Sequence, residues 1–161
     1  ATYFHNVFTD LIDFDEILNV LVNRSKVTTE GVELSLRVEP QPTLSFLAHL
    51  TYLQSNIKGT TEQLRNRPEW RGGFAIRWRP LPGLDLTLKS LVVGNVPDSS
   101  IPTGDVRLDA YARFDLAASY TLRSTWKIFL DVDNLFDADY QEFVGFPAPG
   151  ITPRLGVQAR F

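Results

Sequence analysis

Apolar and polar residues alternate with a period of two along most of the chain. In the segment GVELSLRVEP, residues 31–40, four aliphatic side chains alternate with charged or hydroxyl-bearing ones. The longest alternating stretch runs from Leu108 to Leu122. A period of two places successive side chains on opposite faces of a β-strand, whereas an amphipathic helix needs a period near 3.6. The sequence therefore predicts an all-β protein.

The alternation predicts eight strands, at about 2–13, 26–39, 43–54, 69–79, 84–93, 106–122, 125–134 and 152–161. Short turns are expected at 40–42, 80–83 and 123–124, and long loops at 14–25, 55–68, 94–105 and 135–151. Consecutive connections of an up-and-down meander emerge at opposite ends, so all short turns share one end. Short turns at one end and long loops at the other are typical of outer-membrane β-barrels.

Large aromatic residues lie near the ends of the predicted strands, on the apolar face. Beside the short turns or at the C-terminus are Trp78, Tyr120, Trp126 and Phe161, and Trp70 lies at the loop end of its strand. Membrane-interface belts have this arrangement. A strand from Trp70 to Trp78 is roughly 26 Å long, enough to cross most of the ~25 Å apolar band at a tilt of about 45°. The pattern predicts a transmembrane antiparallel up-and-down β-barrel; the alternative is a soluble sandwich or lipocalin-like barrel.

Composition excludes several other classes. A net charge of -3 with interspersed charges predicts no nucleic-acid partner. The lack of cysteine excludes thiolate metal sites and disulfides. No apolar run reaches the roughly 18 residues of a membrane-spanning helix, and a mean hydropathy of -0.10 is compatible with an alternating membrane barrel. The chain begins at Ala1 and contains no methionine, so we expect a processed product or a fragment.

Several motifs resemble a known family. The stretch NLFDADY, residues 134–140, followed by GFPAPGITPRLGVQARF, resembles the last two strands of TonB-dependent outer-membrane transporters. In that family the penultimate strand typically ends in N-L-F-D-x-x-Y. The stretches YFHNVFTDLIDFD and NRSKVTTEGVELSL resemble the family's mid-barrel strands, and NRPEWRGGFAIRWRP resembles the next hairpin but one. The last strand ends at Phe161, as in the signal that the barrel-assembly machinery recognises, although Ala159 stands where a second aromatic is common.

The resemblance implies a 22-stranded barrel, plugged by an N-terminal domain, that imports a bulky scarce nutrient. The nutrient would be cobalamin or a ferric siderophore, and the TonB–ExbB–ExbD complex would supply energy through the plug. Residues 1–161 would form the last eight strands, without a plug domain, in contact with lipid of the bacterial outer membrane. The stretch GFPAPG at 145–150 resembles cobalamin-transporter-like members of the family more than many siderophore receptors.

Two alternatives of other classes stay open. One is a self-contained eight-stranded barrel that acts as a structural anchor or adhesin, since side chains can fill an interior of that size. The charged side chains that face its interior would balance each other; they would include Glu33, Arg37, Arg77, Asp85, Lys89, Asp109, Arg113 and Asp131. The other is a small barrel enzyme. Because neither His5 nor His49 lies near a nucleophile motif, we predict no catalytic residue and no cofactor.

The aspartates of DVDNLFDADY, residues 131–140, first suggest a metal site. The stretch lacks the turning glycine and the central ligand of a calcium loop, so we predict no metal. Asp131 and Asp133 are expected to face the lumen and to pair with Arg113 or Arg154. Asp137 and Asp139 would begin an extracellular loop. Nutrient contacts are predicted in the long loops, and packing between loops is the alternative role for the candidates, which are Asn56, Gln63, Tyr140, Phe143 and Phe146.

Overall fold

The computed structural model describes residues 1–15, 20–60, 63–122 and 125–159. Eight strands form one sheet: β1 (Thr2–Asp15), β2 (Val20–Gln41), β3 (Leu44–Ile57), β4 (Trp70–Trp78), β5 (Leu84–Val93), β8 (Tyr111–Leu122), β9 (Trp126–Asp133) and β12 (Thr152–Ala159). Four short strands form two separate hairpins: β6 (Val96–Ser100) with β7 (Gly104–Leu108), and β10 (Gln141–Phe143) with β11 (Phe146–Pro147). Within these ranges, no helix is long and apolar enough to cross a membrane.

The large sheet is an antiparallel meander. Its order is β1-β2-β3-β4-β5-β8-β9-β12, so every strand pairs with the one that precedes it in this sheet. The hairpin β6–β7 is inserted in the connection from β5 to β8, and β10–β11 in the connection from β9 to β12. The predicted up-and-down order of eight strands is therefore confirmed.

Cross-strand register joins the apolar positions into one continuous surface, which we call the outer face. Leu34 lies opposite Leu50, Ile76 opposite Leu88, and Leu130 opposite Leu155. These side chains are not buried as a soluble core would be: Leu155 is 77% exposed, and most large apolar residues of this face are also exposed. A broad exposed apolar surface needs a nonpolar environment to cover it, which a bilayer supplies.

The opposite surface, which we call the inner face, carries ion pairs. Arg154 Nη1 lies 2.6 Å from Asp133 Oδ2, and Arg77 pairs with Asp85 on the neighbouring strand. The predicted pairing of a lumenal aspartate with Arg154 is confirmed. Arg113 instead pairs with Asp115 of its own strand, at 3.0 Å, because those two residues are neighbours on the same face of β8.

Three sequence-based boundaries were wrong. The expected loop 14–25 falls largely within β1 and β2, which pair with each other out to Asp15 and Val20, while residues 16–19 lie outside the described ranges. The expected strand 106–122 is two strands, because β7 turns aside to pair with β6 and leaves Asp109 in the break. Asp109 therefore has no place in the inward-facing set. The loop 94–105 contains most of that extra hairpin.

The sheet is open at both sides. β1 and β12 are its edge strands, and over the described ranges no pairing joins them. A self-contained barrel would need that closure to satisfy the edge N–H and C=O groups. The alternative of a self-contained eight-stranded barrel therefore gains no support from this fold.

The predicted interface aromatics lie on the outer face, at two levels. Trp78, Tyr120 and Trp126 lie at the short-turn end, in register with Leu44, Leu84 and Leu122. Trp70 lies at the long-loop end, where its ring centroid is 4.4 Å from that of Tyr52. Phe161 lies outside the described residues. Contact of these rings with lipid headgroups stays a prediction.

Candidate ligand-contact region at the long-loop end

Asn134 is the structural centre of the turn that follows β9. It is only 2% exposed and has a positive φ of 50°, a conformation that asparagine tolerates better than most residues. Its Nδ2 donates to the carbonyls of Ala138, at 2.9 Å, and Pro149, at 3.2 Å. Its Oδ1 accepts the Ala138 N–H at 2.8 Å. One amide therefore connects both ends of the last long loop.

Asp137 completes the same turn. It also has a positive φ, 54°, and its Oδ1 accepts the Ile151 N–H at 2.8 Å, just before β12 begins. The Leu135 N–H donates to the Phe114 carbonyl of β8 at 2.7 Å. The motif that begins at Asn134 thus fastens the loop to the strands on either side. Asp131 and Asp133, in contrast, belong to the inner face of β9, next to Arg154.

No metal-binding arrangement accompanies these aspartates. In the part of the chain that the structure describes, no group of three or more His, Cys, Asp or Glu residues lies close enough together to hold a metal ion. Asp137 instead accepts a backbone N–H group, and Asp133 pairs with an arginine. Their short spacing in the sequence does not make a shared site.

Tyr140 is buried under the last loop. It is 8% exposed, and its ring stacks on that of Tyr111 with centroids 4.1 Å apart and an interplanar angle of 19°. Its hydroxyl accepts a hydrogen bond from Arg113 Nη1 at 3.2 Å, and its carbonyl accepts the Ala148 N–H. This position favours the loop-packing alternative for Tyr140 over direct contact with a nutrient.

Phe143 and Phe146 lie opposite each other in the hairpin β10–β11. Gly145 provides the turn between them with a φ of 82°, and the two rings are 51% and 73% exposed. Their side chains are accessible to an incoming molecule at the long-loop end. Both residues therefore remain candidates for contact.

Hydrogen bonds around the buried Asp98 and Ser99 of β6 connect three loops. Asp98 of β6 accepts the Val144 N–H through Oδ2, at 2.7 Å, and the Ser99 N–H through Oδ1, at 2.8 Å. Arg65, in the loop after β3, donates to Ser99 Oγ at 3.1 Å. The Asn66 N–H donates to the Pro97 carbonyl at 2.8 Å. The loops after β3, β5 and β9 consequently form one packed cluster.

Below this cluster lies a cavity of about 110 Å³ that sequence reasoning missed. Arg71 and Tyr111, both on the inner face at the long-loop ends of their strands, line it together with Glu142 and Phe143. Arg71 could have been identified from the sequence, because it occupies a polar, inward-facing position of its predicted strand next to a predicted long loop. A guanidinium beside aromatic rings can bind a ligand that is both anionic and aromatic. We call this cavity the inner-mouth cavity.

Asn56 and Gln63 lie elsewhere. They line a larger recess of about 540 Å³ with His5, Thr28, Glu30, Gln54, Ser55 and Glu69. Asn56 is in register with Thr28, and Gln54 with Glu30, on the same face as Val32 and Tyr52. The recess therefore opens on the outer face, and this position does not favour contact of Asn56 with a molecule in the lumen. The five predicted contact residues are thus divided among three environments.

The sequence matches a known family over most of its length. Residues 1–135 match the family model described as "TonB dependent receptor-like, beta-barrel". The match begins at Ala1, just before β1, and reaches Leu135, so it spans the first seven strands of the large sheet and the start of the turn after β9.

Solved structures with the same fold are also found. The ferric-catecholate import receptor Fiu from E. coli K12 superposes with a TM-score of 0.78 at 17% identity, over 99% of this chain and 24% of that one. The ferripyoverdine receptor of Pseudomonas aeruginosa gives 0.77 at 15% identity, over 96% and 24%. The ferric yersiniabactin uptake receptor FyuA from Yersinia pestis gives 0.75 at 19% identity, over 96% and 24%.

These identities establish a shared fold. The chain spans about a quarter of the length of the solved structures that it matches. Its open eight-stranded sheet corresponds to a part of their barrels, which agrees with the unpaired edges of β1 and β12.

Proposed function

This chain belongs to the family of TonB-dependent receptor-like β-barrels, and from that premise we propose that it forms the C-terminal eight strands of a receptor that takes up a ferric siderophore. Members of this family lie in the bacterial outer membrane, and so does this chain. The observation that supports the proposal most is the open meander whose apolar side chains face outward. Such a sheet is suited to be one sector of a larger barrel.

The choice of nutrient rests on the resembling structures. The ferric-catecholate, ferripyoverdine and ferric yersiniabactin receptors all contain this fold. They support the siderophore side of the sequence-based expectation, and the lean towards cobalamin finds no support among them. The inner-mouth cavity, at about 110 Å³, has room for one group of a siderophore chelate and not for the whole molecule. Arg71 supplies a positive charge there and Tyr111 and Phe143 supply ring faces, while the carboxylate of Glu142 lies on the same lining.

The partners follow from the same proposal. The outer face would contact membrane lipid, and energy would come from the TonB–ExbB–ExbD complex through a plug domain carried elsewhere in the receptor. Assembly of the barrel would use the C-terminal strand, whose described part is β12 and whose last residue is Phe161. We propose no catalytic activity, in keeping with a family of transporters.

Uptake of iron tests the function directly. Cells whose only siderophore receptor is the complete protein that contains this chain should accumulate radioactive iron from a ferric catecholate or a ferric pyoverdine. Accumulation should cease when TonB is removed. Arg71→Ala should reduce siderophore affinity by about tenfold, because a charge-assisted hydrogen bond contributes roughly 1.5 kcal/mol or more.

Arg37→Ala is the matched control, since Arg37 also lies on the inner face but at the short-turn end, next to Glu39. It should leave affinity unchanged. Saturable, TonB-dependent uptake of cyanocobalamin without any uptake of ferric siderophore would refute the proposed nutrient.

A further inference from the structure

One wall of the inner-mouth cavity is a row of three side chains on neighbouring strands. Arg71 of β4 lies opposite Val93 of β5, and Val93 lies opposite Tyr111 of β8. Two strand spacings separate the backbones of Arg71 and Tyr111, which is roughly 10 Å. Val93 lies between them and is 4% exposed. The sheet therefore places a guanidinium and a phenol on either side of a narrow apolar strip.

Glu142 lines the same cavity from the last long loop. Two residues before it, Tyr140 is buried and stacked on Tyr111. Two residues after it, the Val144 N–H donates to Asp98 at 2.7 Å. The backbone that carries the Glu142 carboxylate is thus held on both sides, and it is joined to the strand that carries Tyr111.

Arg71 and Glu142 have opposite charges but do not pair with each other. Neither forms an ion pair or a side-chain hydrogen bond with any residue of the described ranges. Arg113 and Arg154, elsewhere on the inner face, each pair with an aspartate. The inner-mouth cavity therefore presents one positive and one negative group that are both available to a ligand.

The two signs together determine which groups can enter favourably. A carboxylate alone would be attracted by Arg71 and repelled by Glu142, and an ammonium alone would meet the reverse. A group that carries both charges can place each one beside its opposite. The same arrangement rejects ligands with a single charge, and such repulsion is one of the ways in which a site becomes specific.

Asn66 adds a hydrogen-bond acceptor on the side of the loop after β3. Its Oδ1 is buried and accepts no hydrogen bond from the described residues. Buried polar atoms are normally hydrogen-bonded, so this oxygen favours an occupant that donates. An ammonium group donates up to three hydrogen bonds, whereas a carboxylate donates none.

We propose that the inner-mouth cavity binds a zwitterionic α-amino-acid group of the incoming siderophore. The carboxylate of that group pairs with Arg71, and its ammonium pairs with Glu142 and donates to Asn66. At about 110 Å³ the cavity has room for such a group, while the rest of the ferric chelate stays outside it. The inference rests on the proposed siderophore function and adds the chemical group by which this receptor selects its siderophore.

Siderophore probes that differ in one attached group test the inference. A ferric catecholate and a ferric pyoverdine are each joined to lysine through its side-chain nitrogen, which leaves the α-ammonium and the α-carboxylate free. Three companion probes carry the same lysine with the amine acetylated, the carboxyl group amidated, or both. Affinity for the complete receptor that contains this chain is measured by fluorescence quenching. The zwitterionic probe should bind about tenfold more tightly than each of its companions.

Glu142→Gln distinguishes attraction of an ammonium from simple repulsion of an anion. The variant should bind the zwitterionic probe about tenfold more weakly, because the ammonium loses its charged partner. It should bind the doubly blocked probe as the unchanged receptor does, which also shows that it is folded. Glu39→Gln, beside Arg37 at the short-turn end, is the matched control and should change no affinity. An unchanged or increased affinity of the Glu142 variant for the zwitterionic probe would overturn the inference.

The parent chelates, without lysine, separate this inference from the proposed function. A receptor that binds a parent chelate and shows no preference among its four probes contradicts the inference alone. The same holds if a parent chelate binds but no lysine-bearing probe does, because the cavity then does not accept the group. A receptor that binds neither parent chelate nor any probe contradicts the proposed function, and the inference fails with it.

Discussion

At the scale of single residues, Asn134 shows why a short amide occupies the turn after β9. Its positive φ favours asparagine or glycine, and its carboxamide both donates to and accepts from backbone groups at 138 and 149. Aspartate has a similar size but cannot donate, so it would leave the carbonyls of Ala138 and Pro149 without this partner. Glycine would keep the backbone conformation and lose all of the side-chain bonds.

Asn134→Ala should loosen the loop 135–151 by roughly 2 to 3 kcal/mol, since it removes the buried amide and strains a positive-φ position. Hydrogen exchange of the loop amides in the complete receptor measures the effect, and the Ala138 N–H should exchange much faster. Asn134→Gly should give a smaller increase because only the hydrogen bonds are lost. Equal exchange in all three proteins would show that the turn does not depend on this side chain.

The sequence separated the aspartates of this region correctly but did not reveal the role of each one. A period of two was enough to place Asp131 and Asp133 on one face of a strand, as the register confirms. The bond from Asp137 to the Ile151 N–H and the stacking of Tyr140 on Tyr111 join segments distant in sequence. No local pattern contains such contacts, so Tyr140 remained an unresolved choice between ligand contact and packing.

At the scale of elements, the bounds of strands were predictable in the membrane-spanning part of the sheet, where the bilayer requires apolar and polar residues to alternate. They were less predictable in the loops outside the membrane. β4, β5 and β9 closely match their expected bounds, because each has an apolar face that must meet lipid and a polar face that must not. The hairpins β6–β7 and β10–β11 lie outside that constraint. They are held by particular bonds such as that from Val144 to Asp98. The residues of β7 do alternate, but that alternation did not reveal that β7 pairs with β6 and not with the large sheet.

Asp98→Ala should release the hairpin β10–β11 from β6–β7, because the Val144 and Ser99 N–H groups lose their acceptor. Limited proteolysis of the complete receptor should then cleave within 141–147 at least several times faster. Asp105→Ala, at an exposed aspartate of β7, is the control and should leave cleavage unchanged. Equal resistance of the two variants would mean that the loop cluster does not rely on Asp98.

The loss of unfolding free energy caused by a charged side chain on β4 should depend on the depth of that side chain in the membrane. Phe74 lies midway between Trp70 and Trp78 on the outer face. Phe74→Arg should therefore destabilise the barrel by about 2 to 4 kcal/mol. The charge introduced by Trp78→Arg, near the membrane interface, should cost about 1 kcal/mol or less. Ala75→Arg faces inward and should be tolerated. Equilibrium unfolding of the complete receptor in lipid vesicles measures all three, and equal costs at Phe74 and Ala75 would reverse the assignment of faces.

At the scale of the whole molecule, the sheet exposes its apolar side chains on the outer face and carries its ion pairs on the inner face, which is the reverse of a soluble protein. Buried apolar residues such as Val27 and Ile57 lie at the long-loop end of the sheet, whereas Leu36, Leu130 and Leu155 on the outer face are exposed. Stability of such a sheet depends on lipid on one side and on neighbouring strands at both edges. An open sheet of this kind agrees with the proposal that the eight strands form one sector of a larger barrel.

Residues 1–161 produced alone and refolded in detergent should consequently associate through β1 and β12. We expect dimers and larger species in size-exclusion chromatography, and no sharply heat-modifiable monomer on a gel. The complete receptor, refolded in the same detergent, is the control and should give a heat-modifiable monomer. If the isolated chain gave the same discrete monomer, strand closure within residues 1–161 would have to replace the open sheet.

Because β2 is long, chemical labelling of intact cells can determine which end of the sheet faces the cell exterior. Its pairing with β3 starts at Val27, so the segment from Val20 to Lys26 extends roughly 20 Å past that point and pairs with β1. A bulky amine reagent that cannot enter the periplasm should modify Lys26 and Lys58 on living cells. Lys127, beside the short turns, should react only after the envelope is opened, and mass spectrometry of the labelled peptides would distinguish the two sides of the membrane.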